Sequence, residues 1–405
     1  MSIESLFWIS LVAVVAPLVA GSVPRRLVPE VVLLLVLGVV IGPFGAGLAK
    51  PDEAIDLLSD LGLAMLFLHA GFDIDPDELT GSAGRRAMWT WVVSLAVAFG
   101  LVGLLGAAGL VHAEIALAIA LTSTALGTLL PILKDGGLIG RPVGDHVLRH
   151  GAFGELGPIV AIAMLLGTRG PIRSLMVLVA FALIAVLVTV WSLRLQRRDS
   201  RILQLVRRGA ETTGQTTVRV TMLLLVSLLA VATAFHLDIV LAAFAAGFIL
   251  RVAIPEGDEF LEARLEGIAF GLLVPIFFVH SGMGLDPQAI VDDPVAFVSV
   301  ILLILVARGL PVLGACRLER GTSRLTDREG LAVALYSSTG LPIIVAVTSV
   351  AVSAGQMSSK NASVLVGAGA ATVLLCPLLA TLVMGRTTPE AAESGEGDPT
   401  RGSVS

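Results

Sequence analysis

The chain has 405 residues, 56% hydrophobic and only 15% charged, with a formal net charge of −5. Soluble domains carry about 25% charged residues and few long apolar runs, so this composition excludes an ordinary water-soluble fold and points to a polytopic inner-membrane protein. The apolar runs are too long and too unalternating for barrel strands, and backbone polar groups in lipid must be satisfied within the segment, so the spans are expected to be helices.

A span needs roughly 20 mostly apolar residues. Thirteen candidate segments follow in chain order, near 5–22, 28–47, 55–72, 86–111, 113–133, 147–168, 171–194, 217–236, 238–254, 266–283, 290–316, 328–353 and 361–385. The first lacks a basic leader and an A-x-A site, so it reads as a retained helix rather than a cleaved signal. The stretch 195–216 (LQRRDSRILQLVRRGAETTGQT) is basic and polar and reads as a surface helix followed by a flexible turn. The tail 387–405 is rich in Pro, Gly, Ser and Glu and reads as disordered, with no soluble regulatory domain expected after it. Cys316 and Cys376 form neither a disulfide framework nor a metal motif and are expected to pack as small apolar residues.

Assigning alternate loops to two sides places 22 Lys and Arg residues on one and 4 on the other (Lys50, Arg169, Arg173 and Lys360), with Arg308 left in midspan. The positive-inside rule puts the basic side in the cytoplasm. The N-terminus is then outside and the C-terminus cytoplasmic.

FLHAGFDIDP (67–76) closes the third segment and FVHSGMGLDP (278–287) closes the tenth, with Phe, His, Gly, Asp and Pro at matching places. An offset of seven spans inverts one copy relative to the other. The Ser/Thr cluster of the fifth segment (Leu121-Thr122-Ser123-Thr124) and that of the twelfth (Ser337-Ser338-Thr339-Gly340) keep the same offset. The expected organisation is a first inverted repeat at 1–168 (spans 1–6), a linker helix and basic cytoplasmic loop at 169–216, a second inverted repeat at 217–386 (spans 8–13) and the tail. Inverted repeats point to a secondary transporter whose site lies near the midplane on broken helices. Spans 5 and 12 are the candidates. Each cluster precedes a helix breaker: Pro131 in one, Gly340 and Pro342 in the other. Thr122, Ser123, Thr124 and Ser338 supply hydroxyl oxygens suited to a hard cation.

Charges at midspan are costly and mark function. Glu155 (GAFGELGPIVAIAML) and Arg308 (LLILVARGLPVLGA) each sit beside glycine and proline. Glu155 is the candidate group for binding a proton and a monovalent cation in turn. Arg308 is the candidate charge compensator, or else the partner of Glu155 in a structural ion pair. His150, five residues before Glu155, is a candidate proton relay. His69 and His280 read as helix-end residues with a lesser claim to pH sensing, and Glu30 and Asp60 as carboxylates near helix starts. No nucleophile–base constellation, metal cluster or glycine-rich phosphate loop suggests an enzyme, and neither a cofactor nor a nucleic-acid partner is expected.

The motifs VPEVVLLLVLGVVIGP (28–43), LSDLGLAMLFLHAGFDID (58–75), LTSTALGTLLPILKDGGL (121–138), LAAFAAGFIL (241–250) and VPIFFVHSGMGLD (274–286) occur in an order and spacing that resembles a known family. The chain is similar to bacterial monovalent cation:proton antiporters of the sodium/proton exchanger superfamily, in the branch with Nap-type and Kef-type exchangers. The resemblance implies an all-α, NhaA-like fold of about 13 transmembrane helices with crossed, partly unwound spans 5 and 12. It also implies a separate dimerisation domain, a homodimer and an elevator-like motion. The family's ion-binding Asp on the sixth helix corresponds to Glu155. The second Asp of electrogenic members corresponds to Gly154, and their eleventh-helix Lys to Arg308. Arginine does not release its proton, so a single titrating carboxylate implies electroneutral exchange of Na⁺ or K⁺ for H⁺. The family's Arg-Gly-Glu signature on the twelfth helix is replaced here by SSTGLPIIVA (337–346). A Kef-like potassium efflux system, an organic-anion symporter on a similar fold and a non-transporting membrane sensor remain as alternatives.

Overall fold

The computed structural model describes residues 3–22, 28–73, 81–109, 111, 113–166, 216–234, 239–253, 259–319 and 325–384. Most of the expected linker region, including the seventh span, and the tail lie outside them. The described residues are helical and contain no strand. Helices α1 (Ile3–Ser22), α2 (Glu30–Ile41), α3 (Glu53–Asp73) and α4 (Gly81–Ala107) open the chain. The next two are short, α5 (Glu114–Ala120) and α6 (Leu126–Asp135), followed by α7 (Pro142–Ala161) with a π-helical turn at Ile162–Leu166. Then come α8 (Thr216–Ala234), α9 (Ile239–Ala253), α10 (Glu259–Ile268), a π-helical turn at Ala269–Leu273 and α11 (Val274–Met283). After α12 (Pro287–Asp292), helices α13 (Pro294–Ile304) and α14 (Leu310–Leu318) flank a third π-helical turn, Leu305–Gly309. The last three are α15 (Asp327–Ser337), α16 (Leu341–Ser353) and α17 (Ser359–Met384).

Eight stretches among the described residues are long and apolar enough to cross a membrane, and Glu30–Ile41 and Ile239–Val252 are shorter apolar helices. Helix starts follow local chemistry. Asp52 precedes α3 and accepts from the backbone N–H groups of Ile55 (3.0 Å) and Ala54 (3.1 Å), a cap that holds its carboxyl below the usual range, the Ile55 bond being the main cause. Thr326 and Glu329 form a reciprocal capping box at the start of α15.

The packing sorts these helices into two sets. Helices α1, α2, α3, α8, α9, α10 and α11 pack on one another, and α4 to α7 pack with α13 to α17. Each set draws helices from both the first and the second half of the chain, so the two halves interleave in space. Backbone-close contacts knit the first set. A Cβ on Gly71 of α3 would strike the Phe244 carbonyl of α9, and one on Gly247 of α9 the Leu68 carbonyl of α3. In lipid, helices gain little by burying apolar area against one another, and such small-residue contacts hold them by close approach instead. Cys316 and Cys376 are buried and free.

Candidate functional site

Two breaks meet in the second set. The first separates α5 from α6 across Leu121–Ala125, and the second separates α15 from α16 across Ser338–Gly340. The hydroxyl groups satisfy the carbonyls that each half-helix leaves free. Thr122 Oγ1 donates to the Ile119 carbonyl (2.8 Å) and Ser123 Oγ to that of Ala120 (2.7 Å). Ser338 Oγ donates to the Ala334 carbonyl (2.8 Å) and Thr339 Oγ1 to that of Tyr336 (2.7 Å). The first break ends ahead of Pro131, which lies within α6, so Pro131 does not make it. Pro342 occupies the first turn of α16, where a missing N–H costs nothing.

The breaks cross by direct hydrogen bonds. Ala125 N donates to the Thr339 carbonyl (2.8 Å), Ser123 Oγ lies 3.4 Å from the Gly340 carbonyl, and Thr124 Oγ1 donates to the Ser337 carbonyl. Residue 340 must be glycine for this approach: a Cβ there would lie 2.6 Å from the Ser123 carbonyl oxygen and closer still to its hydroxyl. Thr122, Ser123, Thr124 and Ser338 are all fully or almost fully buried at this point.

Helix α7 is the third participant. Pro158 has no N–H to give the Gly154 carbonyl one turn back. That carbonyl instead accepts from Thr124 N (2.8 Å), so the proline of α7 creates the acceptor that anchors the first break. Glu155 follows directly and is buried, with 6% of its surface exposed. Its Oε2 lies 3.4 Å from the Leu126 N–H, the first residue of α6. The carboxylate thus sits at the positive end of a half-helix. Trp91 of α4 packs its ring against Gly157, where a side chain would collide with it.

Arg308 enters from the π-helical turn between α13 and α14 and is completely buried. Its Nε donates to Thr124 Oγ1 (3.0 Å), its Nη2 donates to the His150 carbonyl, and its Nη1 has no protein partner. No ion pair joins Arg308 to Glu155. A side chain on Gly154 would overlap both Arg308 Nη2 and Thr124 Oγ1, so the guanidinium fills the volume a second acidic side chain would need. His150 contributes its backbone carbonyl here. Its ring Nδ1 is buried without a partner, and no hydrogen-bonded route links the ring to Glu155 among the described residues. Five residues along a helix turn a side chain by about 500°, well off the same face.

The structure enlarges the part of one residue and brings forward another to which the sequence assigns no role. Thr124 was read only as an ion-lining hydroxyl, yet it joins four elements: the first break, α7, α15 and the turn that carries Arg308. Asp73 ends α3 in the repeated motif. It lies within electrostatic reach of Glu155, Glu262, Glu266 and Arg251, and it is exposed. It stands where the second copy of the motif has Gly284, so the repeat does not single it out. Of the motif histidines, His69 Nδ1 lies 3.0 Å from the Met65 carbonyl and His280 Nε2 3.4 Å from Asp56 Oδ1.

Comparison with known proteins agrees with this architecture. The family described as "Sodium/hydrogen exchanger, transmembrane" matches residues 10–384. The chain is 24% identical over 334 residues to "Putative Na(+)/H(+) antiporter YjbQ" of Bacillus subtilis, covering 77% of this chain and 53% of that protein. It is 27% identical over 333 residues to the glutathione-regulated potassium-efflux system protein KefC of Klebsiella pneumoniae, covering 78% and 51%. The chain therefore spans about half the length of these curated relatives. The solved sodium proton antiporter MjNhaP1 of Methanocaldococcus jannaschii superposes with a TM-score of 0.61 at 18% identity, covering 93% of this chain and 96% of that one, which shows a shared fold. With a family match running across nearly all of its apolar helices, the chain belongs to the sodium/hydrogen exchanger family of transmembrane proteins.

Proposed function

We propose that the protein exchanges Na⁺ or K⁺ for H⁺ across the bacterial plasma membrane, and that Glu155 holds the two in turn. The observation that carries this reading is the setting of Glu155: buried, at the N-terminus of half-helix α6, and with no cationic side chain paired to it. An ionised carboxylate in such a place needs a compensating charge. A proton or a monovalent cation supplies it, and one carboxylate does not hold both, so the two compete for one position. Proximity to the crossing offers a cation further oxygens. Ser123 keeps lone pairs while donating within the break, whereas Thr124 Oγ1 is engaged both as acceptor from Arg308 and as donor to Ser337.

Arg308 keeps its charge in both loaded states. One titrating carboxylate then gives one cation out for each proton in, which is electroneutral exchange. The division into two helix sets, with sparse contact between them, suits an elevator in which the set bearing Glu155 moves against the other. Two copies of the first set would form the stationary part of a homodimer.

Everted membrane vesicles energised to an acid interior, with a pH-sensitive dye, test the reading. Addition of Na⁺, K⁺ or Li⁺ restores dye fluorescence for the transported ion in the wild type and not in Glu155→Gln. Silence for all three ions with folded protein present would refute cation exchange. In proteoliposomes, a rate that responds to an imposed membrane potential would refute electroneutrality.

A further inference from the structure

A second cluster of titratable groups lies at the opposite end of α7 from its π-helical turn and is not used above. His146 is buried, with 4% of its surface exposed. Its Nδ1 lies 2.7 Å from the Pro142 carbonyl, and its Nε2 lies 2.5 Å from Glu319 Oε2. Glu319 caps the end of α14, and its other oxygen is 3.4 Å from Arg86 Nη2 of α4. The cluster therefore joins the start of α7, the end of α14 and the start of α4.

Donor and acceptor inventory constrains its protonation. A carbonyl oxygen only accepts, so Nδ1 carries a hydrogen. A neutral imidazole has one N–H, already used there. Its Nε2 would then present a lone pair to a carboxylate oxygen, which also only accepts, and the contact would be repulsive. The observed approach needs one more proton, either on Nε2 or on Glu319. Arg86 favours the ionised carboxylate and hence the imidazolium, although its own side chain is 56% exposed and its contribution is screened by water. Other charged or titratable groups at this end are Arg141 at the N-cap of α7, Asp145, Arg149 and His150 on α7, Arg85 on α4, Lys134 on α6, Cys316 and Arg317 on α14, and Asp327, Arg328 and Glu329 on α15, with Arg317 paired to Asp327 at 3.1 Å.

We propose that His146 and Glu319 form a proton-binding site, separate from Glu155, that ties α7 to the end of α14 only while its proton is bound. Its location gives it leverage. Helix α7 carries Glu155, and α14 continues from the turn that carries Arg308, so the register between them sets how Arg308 meets the His150 carbonyl. The tie is closed at low pH. As pH rises and the proton leaves, the lone pairs on Nε2 and the carboxylate face each other and the contact opens.

The test is a ¹⁵N NMR titration of histidine-labelled full-length protein in lipid nanodiscs, with the His146 signals identified by their absence in His146→Gln. In the wild type, His146 is doubly protonated on the acid side and converts to the Nδ1–H tautomer, because Nδ1 remains on the Pro142 carbonyl. In Glu319→Gln the acceptor facing Nε2 is neutral, and the titration midpoint of the imidazole falls below that of the wild type. A neutral form bearing hydrogen on Nε2 in the wild type would overturn the proposal without recourse to any variant of Glu319. An unchanged midpoint in folded Glu319→Gln would overturn it equally. Neither readout depends on transport, so failure here and failure of the exchange reading are separable.

Discussion

The two helix breaks look alike in sequence and behave as opposites in the structure. The first is a donor. Thr124 N, Ala125 N, Leu126 N and the hydroxyl of Thr124 all point their hydrogens at other elements. The second is an acceptor, whose Ser337 and Thr339 carbonyls receive from the first. A carboxylate is stabilised by donors, so Glu155 belongs with the first break and the second has no need of one. The two matched motifs thus give complementary surfaces, which is what lets two unwound segments satisfy each other away from water.

Four substitutions break or sharpen this asymmetry. The largest effect is expected from Glu155→Gln, which keeps an oxygen for the Leu126 N–H but binds neither a proton nor a cation. Exchange falls to background while thermal unfolding stays near that of the wild type. Thr124→Val comes next. It keeps shape but removes the bond to Ser337 and strips buried Arg308 Nε of its acceptor, a loss of about 3 kcal/mol because a charged group is left unpaired. A marked drop in melting temperature in a fixed lipid–detergent mixture reads it. Gly340→Ala pushes a methyl group into Ser123, and overpacking of this kind costs about 1–3 kcal/mol, visible by the same melting measurement and by slowed exchange. Ser338→Ala has the smallest effect, about 0.5 kcal/mol, because its hydroxyl only bonds back within α15. If Ser338→Ala cost as much as Thr124→Val, the donor–acceptor distinction would be wrong.

Much of this was legible in the sequence because it depends on local chemistry. The Ser/Thr runs locate both breaks, the long apolar runs locate the helices around them, and a carboxylate flanked by Gly154 and Gly157 stands out in any apolar stretch. What could not be read involves partners far apart in the chain. Pro158 marks a loosened backbone in the sequence, but only the fold shows that the freed Gly154 carbonyl is taken by Thr124. Pro131 looked like the breaker of the fifth span, yet tertiary hydrogen bonds decide where that helix ends. Two opposite charges at midspan left open a charge compensator or an ion pair, and only the fold shows Arg308 on a threonine hydroxyl and a backbone carbonyl. His146 and Glu319 are 173 positions apart, and neither belongs to a motif. The interleaving of the two halves is likewise invisible to a reading that moves along the chain.

The bond from Thr124 N to the Gly154 carbonyl has a further consequence. A stretch outside any helix ordinarily trades its amide hydrogens with solvent quickly, because its openings are local. Here, releasing one amide strips that carbonyl of its partner, since proline has removed its regular helical donor, and the neighbouring bonds at Ala125 and Leu126 open with it. The amides of 124–126 should therefore resist deuterium as strongly as the centre of α7, making the least regular backbone of this set among its slowest to exchange.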